Sequence, residues 1–269
     1  MTLFGLSLVA ALWAADDAYE TSDPLVAAIA YTGNTAPDGS FECEENASSD
    51  IEEELCEVEV LVRDAAEQGA VLVVVSEGAF ETEDPEALPR RGRLPDPERS
   101  PVLAGMSNLA AELGIYLLVP MHTVGPGGEL YTSLIALGPK GRTAGVHHKV
   151  ELYSVERDDY AAGVDFGTFD TPWGRVAMML CSDLYGEPKL HRDMVERSKA
   201  DIVALSSLWT APGALSWQAA LAHDWGVPVI AANGAGGDGV GSGIYDATGR
   251  SLASDNSGLD VAITASLRR

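Results

Sequence analysis

The feature that most restricts the fold of this chain is a series of short, almost wholly apolar runs at residues 26–31, 71–76, 115–121, 176–180, 202–206 and 227–232, each closed by a polar or turn-forming residue. Runs this short and this apolar pass through the interior of a sheet and are too brief to span a membrane. Between them, 51–68 carries Leu55, Val58, Leu61, Val62 and Ala65 at helical spacing, and 100–113, 187–199 and 216–225 also read as helices. Elsewhere the elements shorten. Segments 132–137 and 143–147 flank Gly138-Pro139-Lys140-Gly141, and 166–171 and 176–180 flank Pro172-Trp173-Gly174, both hairpin signals; the end returns to hairpins at 242–245 and 261–265. Two βαβ-like halves with hairpin additions predict an α/β chain with two sheets faced by helices, in a single domain over 25–269. A chain of 269 residues, 46% hydrophobic, can build that core without a second domain. Segment 81–99, rich in proline, acid and arginine with no apolar period, reads as a loop that shapes access to a site.

The run Val176-Ala177-Met178-Met179-Leu180 stops at Cys181-Ser182-Asp183-Leu184-Tyr185-Gly186, where turn formers and helix N-caps follow directly. A thiol there sits at the carboxyl end of a strand, where open α/β sheets place their ligands. On its own such a cysteine is most often an inert small core residue. Two further stretches bear on it. Val71-Leu72-Val73-Val74-Val75-Ser76-Glu77-Gly78 puts a carboxylate at a second strand end, and His147-His148-Lys149-Val150-Glu151-Leu152-Tyr153-Ser154-Val155-Glu156 places a lysine seven residues before a glutamate. Either alone reads equally well as a cap or a surface charge. Together, Glu77, Lys149 and Cys181 supply a base, a cation and a nucleophile, a complete set for attack on a carbonyl or nitrile carbon.

In their chain order and local motifs these three residues resemble the Glu-Lys-Cys triad of the nitrilase, or carbon-nitrogen hydrolase, superfamily. Residues 220–233, Ala-Leu-Ala-His-Asp-Trp-Gly-Val-Pro-Val-Ile-Ala-Ala-Asn, are similar to the helix-to-strand segment that follows in that family, and the resemblance covers nearly all of 26–267. It implies a four-layer α-β-β-α sandwich and subunits paired as a homodimer. Ala27-Ala28-Ile29-Ala30-Tyr31, His148-Lys149 before Leu152, Phe169 through Trp173-Gly174 to Cys181 and Asp183, Ser206-Ser207-Leu208-Trp209, and Gly241-Ser242-Gly243-Ile244-Tyr245 look like the vanin and biotinidase branch. Members of that branch carry a further carboxyl-terminal domain that shapes the pocket, so the resemblance speaks to the chemistry more than to the substrate.

On this reading Glu77 takes the Cys181 proton, and Lys149 with the Ser182 N–H holds the oxyanion of the tetrahedral intermediate. Glu77 then protonates the departing amine and activates the water that hydrolyses the thioester. Glu156 holds Lys149 and positions substrate or water, Trp209 is a candidate pocket wall or else core packing, and His148 supports the site by hydrogen bonding. The expected substrate is a small linear amide, with pantetheine and biotinyl amides as the archetypes; no cofactor and no metal are expected. Nitrile hydrolysis, acyl transfer to an amine, and a non-catalytic binding protein on the same fold are the alternatives, the last disfavoured because all three positions are intact.

Forty-one acidic residues against seventeen basic ones give a formal charge of -24, which repels nucleic acid and anionic lipid head groups. The apolar run at 3–15, followed by Asp16 and Asp17, reads as a secretory signal peptide over 1–15, although no basic residue precedes it. Export would place the protein in a periplasmic or extracellular compartment. Three cysteines then fit one disulfide and one free thiol, with Cys43 and Cys56 as the natural pair and two unpaired thiols as the alternative. Closing that loop would stabilise by about 3 kcal/mol. The glycine-rich run 234–243 lacks the Lys-Ser/Thr ending of a phosphate loop, and His147, His148, His191 and His223 lack metal-ligand spacing.

Overall fold

Strand β1 (Leu25–Ala30) shows where the apolar runs go: Val26 and Ala28 face one core, Ala27 and Ile29 another, and all four are fully buried. Side chains alternate along a strand, so a strand apolar at every position must have both faces covered. The computed structural model describes residues 23–33, 43, 50–80, 100–154, 156–185, 191, 195–237 and 240–267. The expected signal segment, the 81–99 loop and most of the expected 187–199 helix lie outside these residues, though His191 and residues 195–198 are helical.

The first sheet joins β1 to β2 (Leu72–Val75), β3 (Tyr116–Val124), β4 (Leu130–Leu137), β5 (Thr143–His148) and β12 (Val261–Ser266) in the order β12-β1-β2-β3-β4-β5. The second holds β6 (Thr168–Thr171), β7 (Gly174–Leu180), β8 (Ile202–Ser207), β9 (Val229–Asn233), β10 (Ser242–Tyr245) and β11 (Ser251–Asp255) in the order β11-β10-β9-β8-β7-β6. In each sheet the three central strands, β1-β2-β3 and β7-β8-β9, run parallel and antiparallel strands extend the edges. Val26, Leu72, Val74, Leu118 and Leu134 of the first sheet meet Val176, Met178, Leu180, Ala204 and Ile230 of the second in one shared core. The outer face of the first sheet is covered by α1 (Asp50–Glu67) and α2 (Pro101–Leu113), that of the second by α4 (Ala214–Trp225). This is the four-layer α-β-β-α sandwich.

Local chemistry sets the helix ends. Ser100 caps α2 by accepting the Leu103 N–H at 3.1 Å, Pro101 occupies the first turn, and Gly114 ends the helix at φ 68°. On α1, Val58, Leu61, Val62 and Ala65 form the buried stripe that the spacing predicts.

Three expectations need correction. The strand expected to stop at Met121 runs on to Val124, through Pro120, which the pairing permits because β2 accompanies β3 only as far as Leu118. The closing segments 242–245 and 261–265 do not pair with each other. β10 pairs with β9 and with β11, a polar strand that carries no apolar signal, whereas β12 crosses to the other sheet beside β1. Finally, a short helix, α3 (Glu156–Asp159), stands where no element was expected. Cys43 and Cys56 are disulfide-bonded, with Cα atoms 5.9 Å apart, tying α1 to the chain before it, and Cys181 is free. Among the described residues no helix is long and apolar enough to cross a membrane.

Candidate active site

Strand β7 delivers Cys181 to the edge of the shared core, where the chain turns at once into a 3-10 helix, Cys181–Tyr185. Cys181 sits at φ 32°, a left-handed value unusual for a side-chain-bearing residue. Such strain persists only when the surroundings impose it, and here Asp183 does so. Its fully buried carboxylate accepts the Leu180 N–H at 2.8 Å and meets His147 Nε2 at 2.6 Å through one oxygen, and accepts the Val150 and Glu151 N–H groups at 2.8 and 3.0 Å through the other. One side chain therefore ties the Cys181 turn to the residues directly after Lys149. Burial pushes the Asp183 pKa up, but His147 and the backbone donors outweigh it and hold the carboxyl below its ordinary value.

Glu77 follows β2 in a turn whose backbone is pinned from three sides. The Ser76 hydroxyl accepts the Tyr31 N–H at 3.0 Å, and the Ser206 hydroxyl reaches across the sandwich to the Val75 carbonyl at 2.8 Å. Gly234 completes the set, because a Cβ there would lie 2.7 Å from the Glu77 carbonyl oxygen. Lys149, only 2% exposed, lies just beyond the end of β5 with its Nζ 2.8 Å from Glu77 Oε1 and 2.7 Å from Glu156 Oε1. Glu156, at the start of α3, uses its other oxygen to accept the Tyr153 N–H at 2.6 Å. The Cys181 thiol lies near enough to Glu77, Lys149 and the Leu208 N–H for all three to act on its pKa.

Burial raises the Glu77 pKa, with Lys149 and the thiol pulling the other way. Burial also pushes the Cys181 thiol up to about 12, with Glu77 adding to the rise and Lys149 and the Leu208 N–H opposing it. For Lys149 burial favours the neutral amine, but Glu77, Cys181 and Glu156 together keep the ammonium well above its ordinary range. The resting site is thus a protonated thiol against a basic carboxylate, with a fixed cation between two glutamates.

The structure brings Glu77, Lys149, Glu156 and Cys181 together, and Ser182 follows directly. The Ser182 hydroxyl is spent on the Glu151 carbonyl. His148 points elsewhere: its Nδ1 lies 2.8 Å from the Ser133 hydroxyl and its ring stacks on Tyr131 at 4.4 Å. Trp209 forms, with Tyr185, Trp217 and Pro212, a cavity of about 150 Å³. Asn233, which ended the quoted helix-to-strand motif without a role, fixes that tryptophan: its Oδ1 accepts the Trp209 N–H at 2.6 Å and its Nδ2 donates to the Trp209 carbonyl at 3.0 Å. A second cavity, of about 280 Å³, is walled by Glu77, Glu156, His122, Thr132 and Tyr160, and the last three carried no signal in the sequence. Among the described residues no three His, Cys, Asp or Glu side chains are placed to hold a metal ion.

A family model described as carbon-nitrogen hydrolase matches residues 26–266. A protein named "Probable nitrilase" from Schizosaccharomyces pombe is 30% identical over 143 residues, 51% of this chain and 52% of its own length. The human pantetheine hydrolase VNN2 is 25% identical over 240 residues, 77% of this chain and 46% of its own. The chain spans about half the length of these curated relatives. Among solved structures, Saccharomyces cerevisiae Nit3, a member of the nitrilase superfamily, superposes with a TM-score of 0.71 at 20% identity, over 91% of this chain and 89% of that one. An amidase from Nesterenkonia sp. superposes at 0.69 with 19% identity, over 91% of this chain and 90% of its own.

Proposed function

This chain belongs to the carbon-nitrogen hydrolase family, and from that premise we propose that it hydrolyses small linear amides through a thioester on Cys181. The observation that carries the reading is the buried cluster in which Lys149 bridges Glu77 and Glu156, with the Cys181 thiol near enough to Glu77 and Lys149 for each to shift its pKa. A thiol with a raised pKa does not attack as a preformed thiolate, so its proton moves to Glu77 as sulfur bonds the carbonyl carbon. An ammonium has three donors, and two of those on Lys149 go to the glutamates. The third is available to the developing oxyanion, together with the Ser182 N–H, which has no acceptor within the 3-10 helix that begins at Cys181. Collapse of the intermediate breaks the carbon-nitrogen bond, and the amine leaves with the proton from Glu77. Water then gives a proton to Glu77 as its hydroxyl adds to the thioester carbon, and collapse breaks the carbon-sulfur bond while Glu77 returns that proton to sulfur, which releases the acid and restores the thiol.

A pantetheinase- or biotinidase-like preference is supported by the long alignment with the human pantetheine hydrolase. The aromatic cavity of Tyr185, Trp209 and Trp217 suits an acyl group with apolar bulk, since Cys181 packs against the cluster that contains Trp209 and shares its 3-10 helix with Tyr185. The Cys43–Cys56 disulfide supports an exported location, because such bonds persist in oxidising compartments. The test is acid quenching during turnover of an amide panel followed by intact-mass measurement. A single acyl adduct on Cys181, absent in Cys181→Ala, is expected; amine release that continues unchanged in Cys181→Ala, or no adduct and no amine from any amide, would overturn the reading.

A further inference from the structure

Exposed apolar surface gathers at one place on this molecule. Among the described residues the exposed large apolar and aromatic side chains are Tyr153, Val164, Tyr185, Leu208 and Trp217, and all but Val164 border the reactive cluster or its aromatic cavity. Tyr153 lies between Lys149 and Glu156, Tyr185 ends the 3-10 helix that Cys181 begins, Leu208 precedes Trp209, and Trp217 stands in the first turn of α4. Large apolar groups left in water around a cavity mark a binding surface. The ring centroids of Tyr185, Trp209 and Trp217 form a nearly equilateral triangle with sides of 6.1, 6.2 and 6.3 Å. One group seated over that triangle can lie within about 6 Å of all three rings, the range in which a cation is attracted to an aromatic face. The planes of Tyr185 and Trp209 are 25° apart and Trp217 stands at 68° and 88° to them, so the rings present faces in two nearly perpendicular directions. Ala211, Pro212, Gly213 and Ala214 complete the walls of the 150 Å³ cavity, and among the described residues no charged side chain lines it.

Resting on the amidase reading above, we propose that this cavity holds the far end of an acyl group that carries a fully alkylated ammonium, so that the preferred substrates are amides of short trimethylammonio acids. The sign of the charge follows from the rings and their surroundings. Aromatic faces carry negative potential, strongest on tryptophan, and attract a cation. The field around them has the same sign. Burial, and after it Cys181, Tyr153 and Glu77, push the Tyr185 phenol up with Lys149 opposing, and the whole chain carries a formal charge of -24. An acyl group ending in a carboxylate would find no cationic side chain on these walls to pair with. The form of the cation follows from the missing acceptors. A primary ammonium has three N–H donors to satisfy, and the side chains of the cavity offer it only the Tyr185 phenol. A trimethylammonium has no donor to satisfy, and its methyl groups meet the alanine, proline and ring surfaces.

The test compares pairs of primary amides that have one shape and differ in charge: trimethylammonio-acetamide, -propanamide and -butanamide, each against the amide in which a tert-butyl group replaces the trimethylammonium. Turnover is measured in salt well above physiological strength, which screens the long-range attraction of the acidic chain for any cation. For the spacer that fits, the wild type should favour the cation over its neutral twin in kcat/KM by about tenfold, the worth of one or two cation-ring contacts. Trp217→Leu and Tyr185→Leu should each bring that ratio down several-fold, while Trp217→Phe and Tyr185→Phe, which keep a ring, should retain most of it. The ammonium also activates the carbonyl through the bonds, but equally in every variant, so the change in ratio isolates the rings. Both residues are about half exposed, and thermal melts of the leucine variants check that the fold persists. A wild-type ratio near one at every spacer, or a ratio unmoved in both leucine variants, would overturn the subsite and leave the amidase reading standing. So would turnover of other amides with none of these six. If no amide of any kind acylates Cys181, both readings fall.

Discussion

Two buried carboxylates stand on either side of the same strand end, and they do opposite things. Asp183 meets four donors, His147 Nε2 and the backbone N–H groups of Leu180, Val150 and Glu151, and its pKa is held down. Glu77, also buried though 7% exposed against 0% for Asp183, has the Lys149 ammonium as its donor and a thiol nearby, and its pKa is pushed up by burial. Burial alone therefore does not decide whether a carboxylate is structural or reactive. The donor count does, because each N–H aimed at the ionised form lowers the pKa and removes the incentive to take up a proton. Asp183 is a clasp that sets the distance between the Lys149 segment and the Cys181 turn, whereas Glu77 is left able to accept the proton that a thiol must lose.

The comparison breaks most visibly in paired substitutions. Glu77→Gln should reduce acylation of Cys181 by about 10³-fold, as loss of a positioned base does, with far less effect on stability, since Lys149 retains Glu156 as its partner. Amine release and a thermal melt on the same sample check both halves. Asp183→Asn should do the reverse in origin, costing about 3 kcal/mol of stability, because an amide nitrogen replaces one acceptor and faces a backbone donor. The sign with pH follows from the depressed Asp183 pKa. Its contribution is present above the unfolded carboxylate pKa and is lost as pH falls through the folded one, so the gap in denaturant midpoint between wild type and Asp183→Asn should narrow on acidification. A gap that widens in acid would mean that Asp183 is not the clasp.

The smallest of these effects sharpens the Glu77 side. With the thiol pKa pushed up to about 12, alkylation of Cys181 by a small neutral reagent should keep rising with pH beyond the range where an ordinary thiol levels off, about 8.5 to 9. A plateau below neutrality would show a resting thiolate and would remove the need for proton transfer to Glu77.

Most of the frame was legible because it rests on local pattern. The fully apolar runs could only be strands buried on both faces, and Leu55, Val58, Leu61, Val62 and Ala65 mark α1 by spacing alone. β11 escaped notice because Ser251–Asp255 is a short edge strand with neither an apolar run nor alternation, and only Leu252 and Ala253 of it pack, half-buried, against the shared core. The crossing of β12 to the first sheet was equally hidden, since nothing in Val261–Ser266 says which of two sheets will offer an open edge.

For the site, the sequence by itself determined the candidate set: a thiol, a carboxylate and a lysine each at a strand end, with a second glutamate seven residues after the lysine. Residue type and position on a strand are local properties, and local properties survive in one dimension. Only the tertiary structure decided that His147, not the neighbouring His148, supports the Cys181 turn, because one residue along a strand reverses the face and sends the two imidazoles to Asp183 and to Ser133 respectively. Only it brought His122, Thr132 and Tyr160, from two strands and the segment after α3, into one cavity with Glu77. Those three carry no spacing signal, since a cavity is made by what the folded strands leave unfilled.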